Sequence, residues 1–387
     1  MKTLILSDLH LGSNSRTDLL RRPELRASLL EALDDVDRVV LLGDVLELRH
    51  GPLRDAMGAA EGFFEELGRT LGDRELIITA GNHDHALVEP WLASRGEHSR
   101  PAPLAPEQML DPAQVSPAMQ RIAELCTPAR LRVAYPGLWV REDVYAMHGH
   151  YLDCHLTVPT LERLSVGVMA RLLGRPSSDF ASVDDYEAMG APVFAWRDAV
   201  ARDARTNSAL NGVATVSAWR ALGGGGAQAG NGSGSALRPR QMLAGMTGTL
   251  RRRALRGAFP LAVSGLNRAG LGPLKADISA TELRRAGLEA MGEVAARIGL
   301  GEAYVVFGHT HRAGPFPGDR QEEWVGRAGA RLVNSGSWTY AAIFLGDASS
   351  KNPYWPGVCV LVGDSGPPTL KRLLGDRSMD ELVPSSG

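Results

Sequence analysis

The sequence predicts an α/β protein whose functional groups sit at strand ends. Three observations lead there. Short apolar runs recur at Lys2–Ser7, Arg38–Leu42 and Glu75–Thr79, each of strand length. Helix-length stretches, Arg22–Leu33 and Ala56–Leu71, separate them. Each run passes directly into a polar island: Ser7-Asp8-Leu9-His10, Gly43-Asp44 and Gly81-Asn82-His83-Asp84. Open α/β sheets place their ligand groups at the carboxyl ends of the strands in this way.

Further along, Leu131–Tyr135, Leu138–Arg141 and Val144–Met147 read as a strand meander that ends in His148-Gly149-His150. Tyr304–Phe307 is followed by Gly308-His309-Thr310-His311, and Arg331–Asn334 and Val358–Val362 complete a second set of strands. The intervening segment is different. It holds helix-like stretches at Val158–Leu173 and Glu282–Ile298, and its glycine- and serine-rich stretch over 223–235 has the composition of a flexible linker. The expected organisation is a discontinuous catalytic domain, 1–150 with 300–375. A helical insertion spans 151–299, and 376–387 forms a tail.

Charge sharpens the contrast. The 387-residue chain has a net charge of −2. No Asp or Glu occurs from Ala204 to Ala276, while that stretch carries ten Lys and Arg, so the rest of the chain carries −12. A basic lobe on an acidic body points to an anionic partner, foremost a phosphate-containing substrate. The same asymmetry suits a solvated helical cap. The Arg251–Arg253 cluster, among Leu, Met and Phe, also suits peripheral contact with an anionic membrane. No basic groove interleaved with aromatics is visible, which argues against nucleic acid as partner.

Cys126, Cys154 and Cys359 are an odd number without paired spacing, which favours a reducing compartment. Cys154 reads as a buried structural thiol. The N-terminal apolar run is too short for a signal peptide, and no run reaches membrane-spanning length. The expected location is the cytoplasm, with the inner membrane face as the site of any peripheral contact.

The islands hold carboxylates, an amide and imidazoles far beyond what an ordinary core accommodates, since buried polar groups need partners or metals. Divalent metals of intermediate hardness take this mixture of nitrogen and oxygen ligands. Asp8 and His10, and likewise His309 and His311, are two apart. Extended backbone would put each pair on one face. Glycines at 12, 43, 81, 149 and 308 permit tight turns beside them. For His50, His85, His98 and His155 a structural role is the better reading.

In this order the islands resemble the calcineurin-like metallophosphoesterase superfamily, whose signature is Asp-x-His, Gly-Asp, Gly-Asn-His-Asp/Glu, a later His and Gly-His-x-His. The resemblance covers about residues 1–150 and 300–372, and Val333-Asn334-Ser335-Gly336-Ser337 is similar to the family's closing element. It implies a four-layer α/β/β/α sandwich with two metals between the central sheets. Asp8, His10 and His311 would hold one metal; Asn82, His148 and His309 the other; Asp44 would bridge them. His83 would sit beside the reacting phosphate, oriented by Asp84. If protonated, it would assist the leaving oxygen. His148 and His150 both fit the fourth element; His148 is taken as ligand and His150 as facing substrate or backing the ligands. The implied reaction is hydrolysis of a phosphate ester or pyrophosphate by in-line attack of metal-bound hydroxide. Manganese is favoured, and Fe²⁺, Zn²⁺ or Co²⁺ also suit.

Within the superfamily, the chain is similar to the branch of UDP-2,3-diacylglucosamine pyrophosphatases in its N-terminal spacing and helical insertion. It differs in having Gly-Asn-His-Asp and His-Gly-His where that branch has Gly-Asn-Arg-Asp and His-Gly-Asp. Two alternatives stand beside the phosphohydrolase reading. One is a nuclease or phosphodiesterase on nucleic acid. The other is a non-catalytic docking scaffold, against which the complete ligand set argues.

Overall fold

The computed structural model describes residues 1–96, 102–202, 260–345 and 349–384. Among these, ten strands form one sheet: β1 (Thr3–Leu6), β2 (Arg38–Leu42), β3 (Glu75–Thr79), β4 (Glu107–Leu110), β5 (Arg130–Arg141), β6 (Val144–Met147), β7 (Tyr304–Phe307), β8 (Arg331–Asn334), β9 (Val358–Val362) and β10 (Thr369–Arg372). Their order is β10-β9-β1-β2-β3-β5-β6-β7-β8, with β4 beside β5. The main helices are α1 (Pro23–Glu31), α2 (Leu53–Leu71), α3 (Glu89–Gly96), α4 (Pro112–Val115), α5 (Pro117–Leu125), α6 (Leu161–Leu173), α7 (Val183–Arg202) and α8 (Ala280–Arg297).

The sheet divides at β5. Residues 130–133 pair in parallel with β3, whereas residues 137–141 pair antiparallel with β6. The two expected meander strands are therefore one strand, interrupted by Pro136-Gly137, which hands the chain from one half-sheet to the other. β1, β2 and β3 are parallel to one another, and so are β6, β7 and β8. Parallel neighbours need crossover connections, and α1, α2 and α8 supply them.

Three apolar clusters separate four layers. Strand residues of both halves, including Ile5, Val40, Ile77, Val144, Val306 and Val360, pack on each other in the middle. The opposite faces of β1–β3 pack under α1, α2 and α5, through Phe63, Phe64, Leu67 and Ile122. The far side of β6–β8 packs under α8 and the start of the insertion, through Met291, Val294, Val166 and Tyr186. This is the α/β/β/α arrangement the sequence implied. α2 shows the cause locally: Ala56, Ala60, Phe63, Phe64, Leu67 and Leu71 recur at helical spacing and are buried.

α8 belongs to the outer layer of the second half, because it is the crossover between the parallel strands β6 and β7. A boundary at residue 299 cuts that unit. The linker 223–235, His98, and most of the basic stretch lie outside the described residues. Of that stretch, Lys275 is seen pairing with Glu282 at 2.9 Å. Among the described residues no helix is long and apolar enough to cross a membrane.

Candidate metal centre

All seven expected metal-binding residues converge where the two half-sheets meet. Three groups bring ligand atoms within 4.8 Å of one another: Asp8, His10 and His311; His10, Asp44 and His83; Asp44, His148 and His309. Asp44 joins the sets. Its Oδ2 lies 3.2 Å from His148 Nε2 and 3.7 Å from His10 Nε2. Asp8 Oδ1 lies 3.2 Å from His311 Nε2. Asn82 Oδ1 lies 3.2 Å from both His148 Nε2 and His309 Nδ1.

The convergence is achieved differently from the sequence expectation. β1 stops at Leu6 and β7 at Phe307, so strand alternation does not align the paired ligands. Asp8, His10, Asp44, His309 and His311 instead adopt positive φ, 46° to 64°. Such backbone is uncommon outside glycine and costs of order 1–3 kcal/mol per residue, so the surroundings must hold it. Backbone bonds do so: His10 N donates to Asp44 O at 2.9 Å and Leu11 N to Val45 O at 2.9 Å. Asn334 ties down the second pair, donating to Gly308 O and Thr310 Oγ1 at 2.9 Å each. Gly81 is required by proximity, since a Cβ there would strike the Asp44 carboxylate.

The orientation of the rings tests whether this set suits a metal. Each ligand imidazole has an outward nitrogen with an oxygen partner. His148 Nδ1 meets Leu42 O at 3.0 Å, His10 Nδ1 meets Glu47 Oε2 at 3.0 Å, and His309 Nε2 meets Asp153 Oδ2 at 3.0 Å. His311 Nδ1 lies 3.5 Å from Thr339 Oγ1. An N–H directed outward leaves the other nitrogen's lone pair aimed inward, the usual support for a metal-binding histidine. The carboxylates are arranged likewise. Asp44 Oδ1 accepts from His83 N at 2.7 Å and Asp8 Oδ2 from His309 N at 3.0 Å. Asp8 Oδ1, facing inward, is buried and makes no hydrogen bond. So many inward-facing acceptor atoms repel one another unless a cation, proton or metal, lies among them. The residues fit divalent metal.

The charge states agree. Burial opposes ionisation of Asp8 and Asp44. Neighbouring imidazoles, His311 foremost for Asp8 and His148 for Asp44, outweigh it and hold both carboxyls well below their ordinary range. Burial disfavours the His148 cation, yet Asp44 beside it raises that ring to about 9.

Asp84 does not orient His83. Its carboxylate accepts from the amides of Gly81, Asp44, Val45 and Leu46 at 2.7–3.2 Å, binding the second island to the third. The partner of His83 is Glu47, whose carboxylate lies 2.9 Å and 3.0 Å from Nδ1. On the other side, Arg49 donates to His83 Nε2 at 2.9 Å. Burial first, and the Arg49 charge second, push His83 down to about 4. The ring is neutral near pH 7, so the fixed positive charge here belongs to Arg49.

Of the two places expected for His150, the position backing the ligands is the one the geometry matches. The ring is buried behind His148, ring centres 5.6 Å apart, among Tyr151 and Phe194, and neither nitrogen has a partner. His85 and His155 bond Glu187 and Tyr186, as structural histidines do, and His50 lies 3.9 Å from Glu47. Cys154 is buried. Sequence reading missed Glu47, Arg49 and Asp153. Glu47 and Asp153 lie three and five residues beyond Asp44 and His148, and that nearness was the available signal.

The four-layer sandwich thus gathers imidazoles, two carboxylates and an amide into one candidate metal centre at the meeting of its half-sheets. Residues 1–172 match the family model described as calcineurin-like phosphoesterase, the superfamily that the order of the polar islands resembles. No curated protein matches the chain.

Proposed function

We propose that the protein is a phosphohydrolase that uses two divalent metal ions to cleave a phosphate ester or pyrophosphate by in-line displacement. The observation that carries this reading is the arrangement of four imidazoles, each backed outside by an oxygen acceptor and turned inward onto Asp44, Asn82 and the unpartnered Asp8 Oδ1. Asp8, His10 and His311 would hold one ion and Asn82, His148 and His309 the other, with Asp44 between them. When bound, such ions polarise P–O bonds and lower the pKa of water toward neutrality. The oxygen and nitrogen donor set, without thiolate, suits manganese.

The chain's own groups complete the site. Arg49 places a permanent cation beside His83, where negative charge on a phosphoryl group would gather. Glu47 holds the His10 and His83 rings through their Nδ1 atoms. Asp84 keeps Asp44 and Gly81 in register. We place the enzyme in the cytoplasm; its three cysteines are buried and free, as a reducing compartment allows. We assign the catalytic domain to 1–150 with 300–375, together with its crossover helix α8. The basic insertion is proposed to meet anionic phosphate on substrate or membrane, which co-sedimentation with anionic vesicles tests.

The decisive experiment combines metal analysis of the purified protein with assays on a chromogenic phosphomonoester and phosphodiester in Mn²⁺. Asp44→Asn should lower turnover by more than about 100-fold, because even outer partners of metal-binding groups are worth 10–100-fold. Equal turnover by Asp44→Asn and wild type, or a protein that takes up no divalent ion, would overturn the reading.

A further inference from the structure

A cavity of about 280 Å³ opens directly from the metal centre, with Asp44, Asn82, His309 and His311 on its inner wall. Most of its remaining exposed lining is apolar: Leu152 and Leu156 from the segment after His148, Leu283 and Leu288 of α8, Phe307 and Trp324 all contribute, with Thr160 and Glu162 as polar members. Phe344 and Tyr354, stacked with ring centres 4.8 Å apart, close one side. Charged side chains at the rim are engaged with acids: Arg284 pairs with Glu323 at 2.7 Å, and Arg312 with Asp319. Asn334 is committed to Gly308 and Thr310.

The leucine and phenylalanine side chains of this lining offer no hydrogen-bonding groups to a phosphate or a sugar. Against these leucines and Phe307 a polar substituent would lose water without replacement partners, which is unfavourable; Trp324 Nε1 is the buried donor in the lining that lacks a partner. An apolar group would gain by burial. The volume lies just below the ~300–1,000 Å³ of small-molecule sites, which suits a small substituent.

We infer that the substrate is a small phosphate ester or anhydride carrying an aryl or short alkyl group, which occupies this cavity while the phosphate sits at the metal centre. The inference rests on the phosphohydrolase reading and adds the substrate class. It also names a specificity-determining position. Gly287 of α8 lies in the cavity wall, and a Cβ built on it meets only Thr310 Cγ2, at 3.7 Å. The absence of a side chain there leaves the cavity open. A large side chain at 287 would extend from the helix into it. Replacing a helical glycine also favours the helix.

The test uses the full-length, metal-loaded protein and competitive inhibition of chromogenic ester hydrolysis. The probes are methylphosphonate, 2-hydroxyethylphosphonate, benzylphosphonate and hexadecylphosphonate. In the wild type, benzylphosphonate should bind at least about tenfold tighter than the methyl and hydroxyethyl probes, the scale set by filling an apolar pocket. Hexadecylphosphonate should gain nothing over benzyl. Gly287→Phe should erase the benzyl preference and leave methylphosphonate inhibition within about threefold. Gly287→Leu serves if the larger ring disturbs folding, judged by thermal melting. Equal inhibition by all four probes in the wild type overturns the inference, as does a benzyl preference that survives a folded Gly287 variant. Stronger binding of the hexadecyl probe overturns the small-group assignment in favour of a lipid. If the chromogenic esters are not hydrolysed at all, it is the phosphohydrolase reading that fails.

Discussion

The two half-sheets bring different chemistry to one shared rim. The first half, β1 to β3, supplies the anions and the amide: Asp8, Asp44 and Asn82. The second, β6 to β8, supplies imidazoles: His148, His309 and His311. Their supports differ as well. Asp84 fixes the first half through four backbone amides, so its loops are held by main chain. In the second half, His148 rests on a main-chain carbonyl, Leu42 O, whereas His309 depends on a side-chain carboxylate, Asp153, and His311 on a hydroxyl, Thr339. In the acidic half one carboxylate ties several stretches of main chain together, whereas in the imidazole half each ring has its own partner. His10 is the exception, an imidazole in the acidic half that relies on Glu47.

The sharpest way to break this comparison is to remove each support in turn. Asp84→Ala leaves four buried amides without an acceptor. Each lost partner costs about 1–3 kcal/mol, so the expected destabilisation exceeds about 3 kcal/mol. Chemical denaturation measures it. A loss below 1 kcal/mol would mean the first half does not depend on Asp84. By contrast, Asp153→Asn and Glu47→Gln should leave the fold near wild type and weaken metal binding by about 10–100-fold. Calorimetric titration with Mn²⁺ reads this, and unchanged affinity in both variants would remove the distinction drawn here.

The pH dependence sharpens the same point. His148 is raised to about 9 by Asp44, against the penalty of burial. Below its unfolded value near 6.5 the ring is protonated in both states, and its pairing with Asp44 contributes fully. Between 6.5 and 9 the unfolded chain gives up the proton first, so that contribution fades as pH rises and is gone above 9. Thermal melting of the metal-free protein should therefore show His148 losing its share over that window. Because metal displaces the proton, Mn²⁺ affinity should rise across it. A melting temperature that does not fall from pH 6.5 to 9, with affinity flat, would show that His148 is not paired as described.

The smallest effect lies away from the rim. Gly58 is an exposed residue of α2, and a Cβ there meets nothing within 4 Å. Gly58→Ala should stabilise the protein by up to about 1 kcal/mol without altering hydrolysis. A change in turnover would show that α2 is coupled to the site.

Most strands and the layer helices α1, α2, α6 and α8 were legible as stretches of element length and apolar content, and α2 has the clearest apolar face. β4 and β10 were not, since their residues are only partly buried and carry little pattern. α7 also escaped, being interrupted by Pro192 and not hydrophobic on one clear face. At the site, the spacing of Asp8 with His10, and of His309 with His311, was legible. The backbone that aligns each pair was not, because positive φ at non-glycine residues leaves no mark in composition. The partner of His83 was also misread: Asp84 is adjacent in sequence, but Glu47 reaches the ring through the fold.

The chain order alone determined which residues could bind metal and that they follow strands, because strand length and ligand type are local properties. Which nitrogen faces inward, which oxygen backs each ring, and that a largely apolar cavity adjoins the candidate metal centre were decided by tertiary structure. Those features depend on contacts between residues up to some three hundred positions apart, such as His10 with His311, which are meaningless until both half-sheets are folded together.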